Sequence, residues 1–119
     1  MLTIFYILNA TLLLLHEIES GFEREWEILK FPGRITGFLL MHIPIILILF
    51  YGLIEIEKQT QLGLIIGVIT GIGGIVPFLV HEVFVCRKDH FNLVISKIVI
   101  YLNIITGIGT LFFSLRSFS

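Results

Sequence analysis

The stretch ITGFLLMHIPIILILFYGLI, residues 35–54, is twenty residues long and contains no formal charge. About 20 mostly apolar residues are the length of helix that crosses the hydrocarbon core of a bilayer. The whole chain is 56% hydrophobic and only 14% charged, whereas a soluble domain has about 25% charged residues. The sequence therefore predicts an integral membrane protein.

Comparable apolar stretches lie on both sides of this one. We predict a single transmembrane domain over residues 1–119, an all-α four-helix bundle with spans at about 2–20, 35–54, 62–86 and 91–115. The first apolar run, residues 1–15, is too short to span, so its helix must continue through His16 and Glu17. No basic segment precedes this run, which argues against a removable signal peptide. Residues 55–61 are predicted to form a short polar loop.

Residues 22–31 have the pattern of a short amphipathic helix at the membrane interface, between the first two spans. Phe22, Trp26 and Leu29 recur at positions i, i+4 and i+7, which places them on one face of a helix. Because tryptophan is enriched at the depth of the lipid headgroups, Trp26 is the predicted membrane-interface residue. A Pro-Gly pair then turns the chain into the second span.

Basic residues set the predicted orientation, because Lys and Arg are retained on the cytoplasmic side. The loops after the first and third spans hold most of them, namely Arg24, Lys30, Arg34, Arg87 and Lys88. We expect a multi-pass protein of the cell membrane, with these two loops cytoplasmic and both termini outside. Eight Lys and Arg against nine Asp and Glu argue against a nucleic-acid partner. The expected partners are membrane lipid and a second copy of the chain.

The third and fourth spans carry small residues at a spacing that favours close helix packing. The positions concerned are Gly63, Gly67 and Gly71 on the third span and Asn103 and Gly107 on the fourth. Small residues four positions apart let helix backbones approach each other in lipid. The pattern predicts packing between these two spans or, alternatively, a homodimer seam.

Histidines inside the predicted spans form the candidate functional site. His16, His42 and His81 come from three helices that alternate in direction, so we expect all three at one depth in the same leaflet. Ionisable residues within spans are costly and point to function, and imidazole is the commonest metal ligand. We predict a divalent metal, zinc or iron, bound by these histidines and completed by one carboxylate among Glu19, Glu82 and Glu23.

The carboxylates are assigned by their helix face. On a continuous first helix His16, Glu19 and Glu23 share one face, whereas Glu17 points about 100° away. For a catalytic site, we assign Glu17 and Glu82 as the catalytic carboxylates, one of them acting as general base in metal-assisted chemistry on a lipid or other apolar substrate. Whether the chain is an enzyme stays open, because it contains neither an HExxH zinc motif nor a GxSxG or nucleotide-binding loop.

Structural interpretations stand beside the metal site. One interpretation is that His16 is a solvated residue at a helix end. His42 lies two residues before Pro44, so its imidazole could hydrogen-bond a backbone carbonyl that the proline leaves without a donor. Two other functions are also compatible with the sequence. One is a scaffold or accessory subunit that associates through the glycine face, and the other is a bundle that binds haem through a histidine pair.

The first 45 residues resemble a family of small bacterial membrane proteins known only as a domain of unknown function. The residues that carry the resemblance are His16-Glu17-Ile18-Glu19, Glu25-Trp26-Glu27, Phe31-Pro32-Gly33, Gly37-Phe38, and His42 with Pro44. A neighbouring group named for a His-x-x-Glu-Glu motif is similar at His16 and Glu19, but this chain has Ser20 in place of the second Glu. The resemblance implies a bacterial four-helix membrane protein and brings no activity, cofactor or partner.

Overall fold

The computed structural model describes residues 1–22, 24–28, 32–80 and 94–118. The elements in these ranges are all helices: α1 (Leu2–Phe22), α2 (Glu25–Ile28), α3 (Arg34–Glu57), α4 (Gln61–Phe78) and α5 (Val94–Phe118). Apart from the short α2, each is long and apolar enough to cross a membrane. The predicted all-α fold with four membrane-length helices is confirmed, and it is consistent with a multi-pass membrane protein.

The helix ends differ from the predicted spans. α3 runs to Glu57, three residues beyond the predicted limit, and the loop to α4 consists of residues 58–60. The carboxylate of Glu55 accepts a hydrogen bond from Thr60 Oγ1 at 2.7 Å, and Thr60 Oγ1 in turn accepts the N–H of Gly63 at 3.0 Å. These bonds satisfy polar groups at the helix ends and so allow a tight turn. Of the predicted interfacial helix at 22–31, Phe22 is the last residue of α1, Glu25–Ile28 form the four-residue α2, and residues 23 and 29–31 lie outside the described part.

α4 and α5 approach closely at glycines on their facing sides. A Cβ atom on Gly71 would lie 2.8 Å from the carbonyl oxygen of Gly107, and one on Gly107 would lie 2.7 Å from the carbonyl oxygen of Gly71. One turn further along α4, a Cβ atom on Gly74 would lie 2.9 Å from the carbonyl oxygen of Asn103. Only glycine allows the two backbones to come this close.

The other two glycines of the stripe have different neighbours. Gly67 lies against the side chain of Ser114 on α5, whereas Gly63 lies against the backbone of Glu55 on α3. The glycines of α4 therefore pack against both flanking helices of the same chain. A homodimer seam stays a prediction.

α1 is attached to the other three long helices by hydrogen bonds of polar side chains. Tyr6 Oη donates to the carbonyl oxygen of Leu49 on α3 at 2.7 Å, and Asn9 Nδ2 donates to the carbonyl oxygen of Thr70 on α4 at 2.8 Å. From α5, Thr106 Oγ1 donates to Asn9 Oδ1 at 3.3 Å. Asn9 thus joins three helices at one point.

The buried residues of α1 carry polar groups, and many of its aliphatic residues are exposed. Ile4, Ile7 and Ile18 are all exposed, and the buried positions are Tyr6, Asn9, His16 and Ser20. This is the distribution expected of a helix in lipid, where apolar side chains gain nothing by turning inward.

Replacing Gly71 with alanine is expected to destabilise the bundle by about 1–3 kcal/mol, the usual cost of extra volume in a packed contact. The new Cβ atom would lie 2.8 Å from two backbone atoms of α5, Gly107 O and Leu111 N, so the helices would have to separate. Thermal unfolding in detergent micelles measures the loss.

Gly73→Ala is the matched control on the same helix. Its Cβ atom would meet, among the described residues, Leu13 Cδ1 alone, at an ordinary contact distance of 3.8 Å, and alanine is the better helix former. Equal destabilisation by the two substitutions would contradict the close α4–α5 contact.

Candidate functional site

A pocket of about 420 Å³ lies between α1, α3 and α4. Four of the residues that line it are polar: His16, Glu17, His42 and Thr70. The rest of the wall is mainly aliphatic and aromatic and includes Leu13, Phe38, Met41, Ile45, Ile69 and Val76. A largely apolar cavity of about 300–1,000 Å³ with a few polar groups is typical of a small-molecule site.

The pocket opens on the side of the bundle. α3 and α4 are packed together near their connecting loop, where Gly52 lies against Ile66. Further from the loop, residues of both helices line the pocket instead. Ile45, Ile69 and Val76 belong to the pocket wall and are also exposed at the surface of the bundle. These positions lie within membrane-length helices, so in a bilayer the opening would face the acyl chains.

Glu17 and His42 join α1 to α3 at this pocket. His42 Nε2 is hydrogen-bonded to Glu17 Oε2, and His42 Nδ1 donates to the carbonyl oxygen of Phe38 at 2.6 Å. A carbonyl oxygen can only accept, so Nδ1 carries a proton. The bond between Nε2 and Oε2 then contains one further proton, which belongs either to the carboxyl group or to the imidazole. The pair is neutral overall in both forms, which avoids the cost of a lone charge inside a membrane.

Aromatic rings hold the imidazole of His42 in place. The Phe38 ring lies 4.1 Å from the His42 ring between centroids, and the Trp26 ring lies 5.4 Å from the Phe38 ring. Trp26, predicted to lie at the membrane interface, is 7% exposed and also lines the pocket. The short α2 therefore contributes a buried ring to this end of the site.

The other polar residues near the end of α1 have separate partners. His16 lines the pocket, and its Nε2 lies 3.4 Å from Ser20 Oγ, one turn further along α1. The carboxylate of Glu19 accepts a hydrogen bond from Ser96 Oγ on α5. Glu17 and Glu19 thus bond to different helices, α3 and α5.

The structure brings three of the predicted site residues to one pocket wall: His16, Glu17 and His42. The expectation that Glu19 and Glu23, rather than Glu17, are the carboxylates to join His16 rested on the faces of α1 alone, and it did not consider which face α3 meets. Intramembrane carboxylates and histidines need polar partners, and this rule is the sequence signal from which a Glu17–His42 pair could have been proposed. No comparable sequence signal predicts the apolar wall of the pocket, because the wall is formed by the distance between the helices.

The described residues include only part of the predicted metal site. Among the described residues no group of three or more His, Cys, Asp or Glu side chains could hold a metal ion. Three of the predicted site residues, His81, Glu82 and Glu23, lie outside the described part of the chain. The zinc or iron site therefore stays a prediction.

A family model matches residues 2–117 of the chain, a range that includes all four membrane-length helices. Its description is Family of unknown function (DUF6713). No curated protein and no solved structure matches the chain.

A double-mutant cycle tests the bond between Glu17 and His42. Glu17→Ala and His42→Ala are each expected to destabilise the protein by about 1–3 kcal/mol, because each removes one side of a hydrogen bond between partly buried polar groups. The double variant should lose less than the sum, since a pair in contact is not additive. Unfolding in detergent micelles gives the four stabilities.

A second cycle at Arg24 and Glu27 is the control. Their side chains are 69% and 55% exposed at a separation of 3.6 Å, and exposed pairs contribute little. Additive losses at Glu17 and His42, similar to those at the control pair, would show that the two residues do not depend on each other.

Proposed function

The chain belongs to this family of unknown function, DUF6713, and from its own geometry we propose that it binds a membrane amphiphile in the pocket between α1, α3 and α4. An amphiphile here means a molecule with a hydrocarbon chain and one polar group. The observation that carries the proposal is the Glu17–His42 pair on the wall of a pocket that is otherwise largely apolar.

The apolar wall suits the hydrocarbon part of such a molecule. Leu13 from α1, Ile48 from α3 and Ile69 from α4 contribute branched aliphatic surface to the wall. Because the opening faces the acyl chains of the bilayer, a chain can enter sideways without passing through water. The hydrocarbon part of the ligand would also fill space that water occupies only at a high free-energy cost, since an apolar cavity offers water few hydrogen-bond partners.

The polar group of the amphiphile is placed at Glu17 and His42. The side chain of His42 is 8% exposed and that of Glu17 31% exposed, so the carboxyl group is the more accessible of the two. Hydrogen bonds made there are strengthened by the low local dielectric constant. The Phe38 ring and its carbonyl group fix the imidazole, which gives the pair a defined position before a ligand arrives.

The same pair can support chemistry on the bound molecule. Histidine and glutamate are the usual groups of general acid–base catalysis, and here they already share a proton. The enzymatic form of the proposal is that Glu17 and His42 exchange this proton with the polar group of the ligand. Binding is the part of the proposal that the pocket and its wall support directly.

The metal-dependent form is a separate proposal. Both ring nitrogens of His42 have partners, Glu17 and Phe38, so His42 can bind a metal only by giving up one of them. If zinc or iron is the cofactor, purified protein should contain about one equivalent of it, and a variant with His16→Ala and His42→Ala should contain much less. Metal analysis decides this, and far less than one equivalent in the unchanged protein would contradict it.

The other two functions have less support. The glycine face required by a scaffold is packed against α5 at Gly67 and Gly71 within one chain. A haem ligand pair that included His42 would meet the same competition from Glu17 and Phe38. We therefore favour the pocket as the functional feature.

Filling the pocket should remove the ligand. Gly73 borders the pocket, so Gly73→Phe is expected to reduce bound amphiphile about tenfold or more by occupying its space. The measurement is mass spectrometry of molecules that remain with the protein after extraction into polymer-bounded bilayer discs and gel filtration.

The matched control is Ile72→Phe, which adds a ring to the neighbouring residue. Ile72 is 50% exposed and is not among the residues that line the pocket in the described part of the chain. A ligand that is retained equally by both variants, or a protein that retains none before substitution, would contradict binding in this pocket.

A further inference from the structure

We propose that the backbone carbonyl group of Gly73 is a ligand-binding group of this pocket, and that the amphiphile carries an O–H or N–H donor at its polar end. This inference rests on the proposed function, because it names the class of amphiphile that the same pocket takes. It follows from the position of a proline in α4 and from the way in which α4 runs beside α1.

Pro77 deprives one carbonyl group of α4 of its helical hydrogen bond. Each N–H of an α-helix donates to the carbonyl oxygen four residues earlier, and proline has no N–H. Pro77 lies inside α4, so the carbonyl oxygen of Gly73 lacks the N–H that it would otherwise accept. The N–H of Leu79 is bonded to the carbonyl oxygens of Ile75 and Val76, which lie beyond Gly73. The carbonyl group of Gly73 is therefore open to a donor from outside the helix.

Side chains of the described residues do not replace this bond. Among them, the side-chain donor that reaches a carbonyl oxygen of α4 is Asn9 Nδ2, and it bonds to Thr70. An unpaired carbonyl group in an apolar surrounding is costly, and in membrane helices a neighbouring side chain or an ordered water usually satisfies a group that proline has freed. A ligand that donates a hydrogen bond would satisfy this one.

The freed carbonyl group is located at the pocket. Gly73 and Pro77 both line it, as expected of residues four positions apart, which share one face of a helix. Gly73 has no side chain, so the atoms with which it lines the pocket belong to the backbone. On the α4 side the wall is thus formed in part by peptide backbone, at the position where a carbonyl group has lost its helical donor.

α1 and α4 run in the same direction beside the pocket. Asn9 of α1 bonds to Thr70 of α4. One turn further along α1, Leu13 Cδ1 lies 3.8 Å from the position of a Cβ atom on Gly73. The residue numbers of both helices rise together from the first contact to the second, so the two helices are parallel.

The carbonyl group of Gly73 points toward the level of the polar pair. In an α-helix a carbonyl group points along the axis toward the residue four positions on, which here is Pro77. Glu17 is likewise four residues beyond Leu13, about 6 Å along the axis of α1. A ligand group in contact with Glu17 or His42 is therefore at the level from which it can also donate to this carbonyl oxygen.

A carbonyl oxygen accepts hydrogen bonds and cannot donate them, so it distinguishes ligands by their donors. An alcohol or a secondary amide can donate to Gly73 and still present its oxygen atom to the Glu17–His42 pair. An ether or an ester has acceptors only and would leave the carbonyl group of Gly73 unpaired. The site therefore favours the alcohol or the amide.

Trp26 provides a readout of occupancy. It is the single tryptophan of the sequence, and it lines the pocket. The probes are alkyl chains of one length, brominated near the polar end, in two pairs: an N-methyl amide with a methyl ester, and an alcohol with its methyl ether. Bromine quenches tryptophan fluorescence on contact, so titration of the full chain in lipid vesicles, corrected for the partition of each probe into lipid, gives relative affinities.

The donor of each pair is expected to quench Trp26 at a concentration about three- to tenfold below that of its partner, as expected of one hydrogen bond. In Pro77→Ala an N–H at position 77 pairs with the carbonyl oxygen of Gly73, so this ratio should fall to about one. Pro77→Val supplies the same N–H with a side chain closer in size to proline. It should give the same result, which separates the hydrogen bond from a change in pocket volume.

Pro44→Ala is the matched control. It gives α3 the same new N–H, but the carbonyl group that this N–H pairs belongs to Leu40. Leu40 is 61% exposed and is not among the residues that line the pocket in the described part of the chain. The preference for donors should stay as it is in the unchanged protein.

Three results overturn the inference and leave the proposed function intact. They are a donor probe that quenches no better than its partner in the unchanged protein, a preference that survives in both Pro77 variants, and a preference that Pro44→Ala reduces as much as Pro77→Ala does. Absence of quenching by all four probes overturns the proposed function itself.

Discussion

The position of α1 depends on hydrogen bonds, because lipid provides no hydrophobic force that would press one helix against another. Tyr6 bonds to α3 and Asn9 bonds to α4, while Asn9 also accepts a bond from Thr106 on α5. In an apolar surrounding, a polar side chain without a partner is costly, so these bonds allow few rotations of α1 about its axis. The rest of the site follows from that orientation, since it directs Glu17 toward α3.

Unequal spacing between helices creates the pocket. α4 lies close to α5 because Gly71 and Gly107 have no side chains to separate the backbones. α4 and α3 touch near their loop, at Gly52 and Ile66, and line a pocket further along. One helix thus has a close contact on one side and a cavity on the other, which is the geometry that a bundle needs to hold a small apolar molecule.

The Glu17–His42 pair explains how a carboxylate can be accommodated within a membrane-length helix. Its bond to His42, and the bond from His42 to the carbonyl oxygen of Phe38, give the imidazole two partners and make the pair neutral as a whole. The same arrangement limits what the site can do next. A metal ion that binds His42 must displace one of these partners.

The four membrane-length helices of the described part could be predicted from the sequence alone, because uncharged runs such as residues 35–54 have few alternatives to a transmembrane helix. Polar contacts at His16, Glu17 and His42 were also predictable, since ionisable residues within a span need polar partners. The sequence did not decide which carboxylate meets His42. Neighbouring residues of a helix point about 100° apart, so the choice between Glu17 and Glu19 depends on how α1 is rotated against α3. Only tertiary contacts determine that rotation, and the pocket likewise depends on distances between helices that no local pattern encodes.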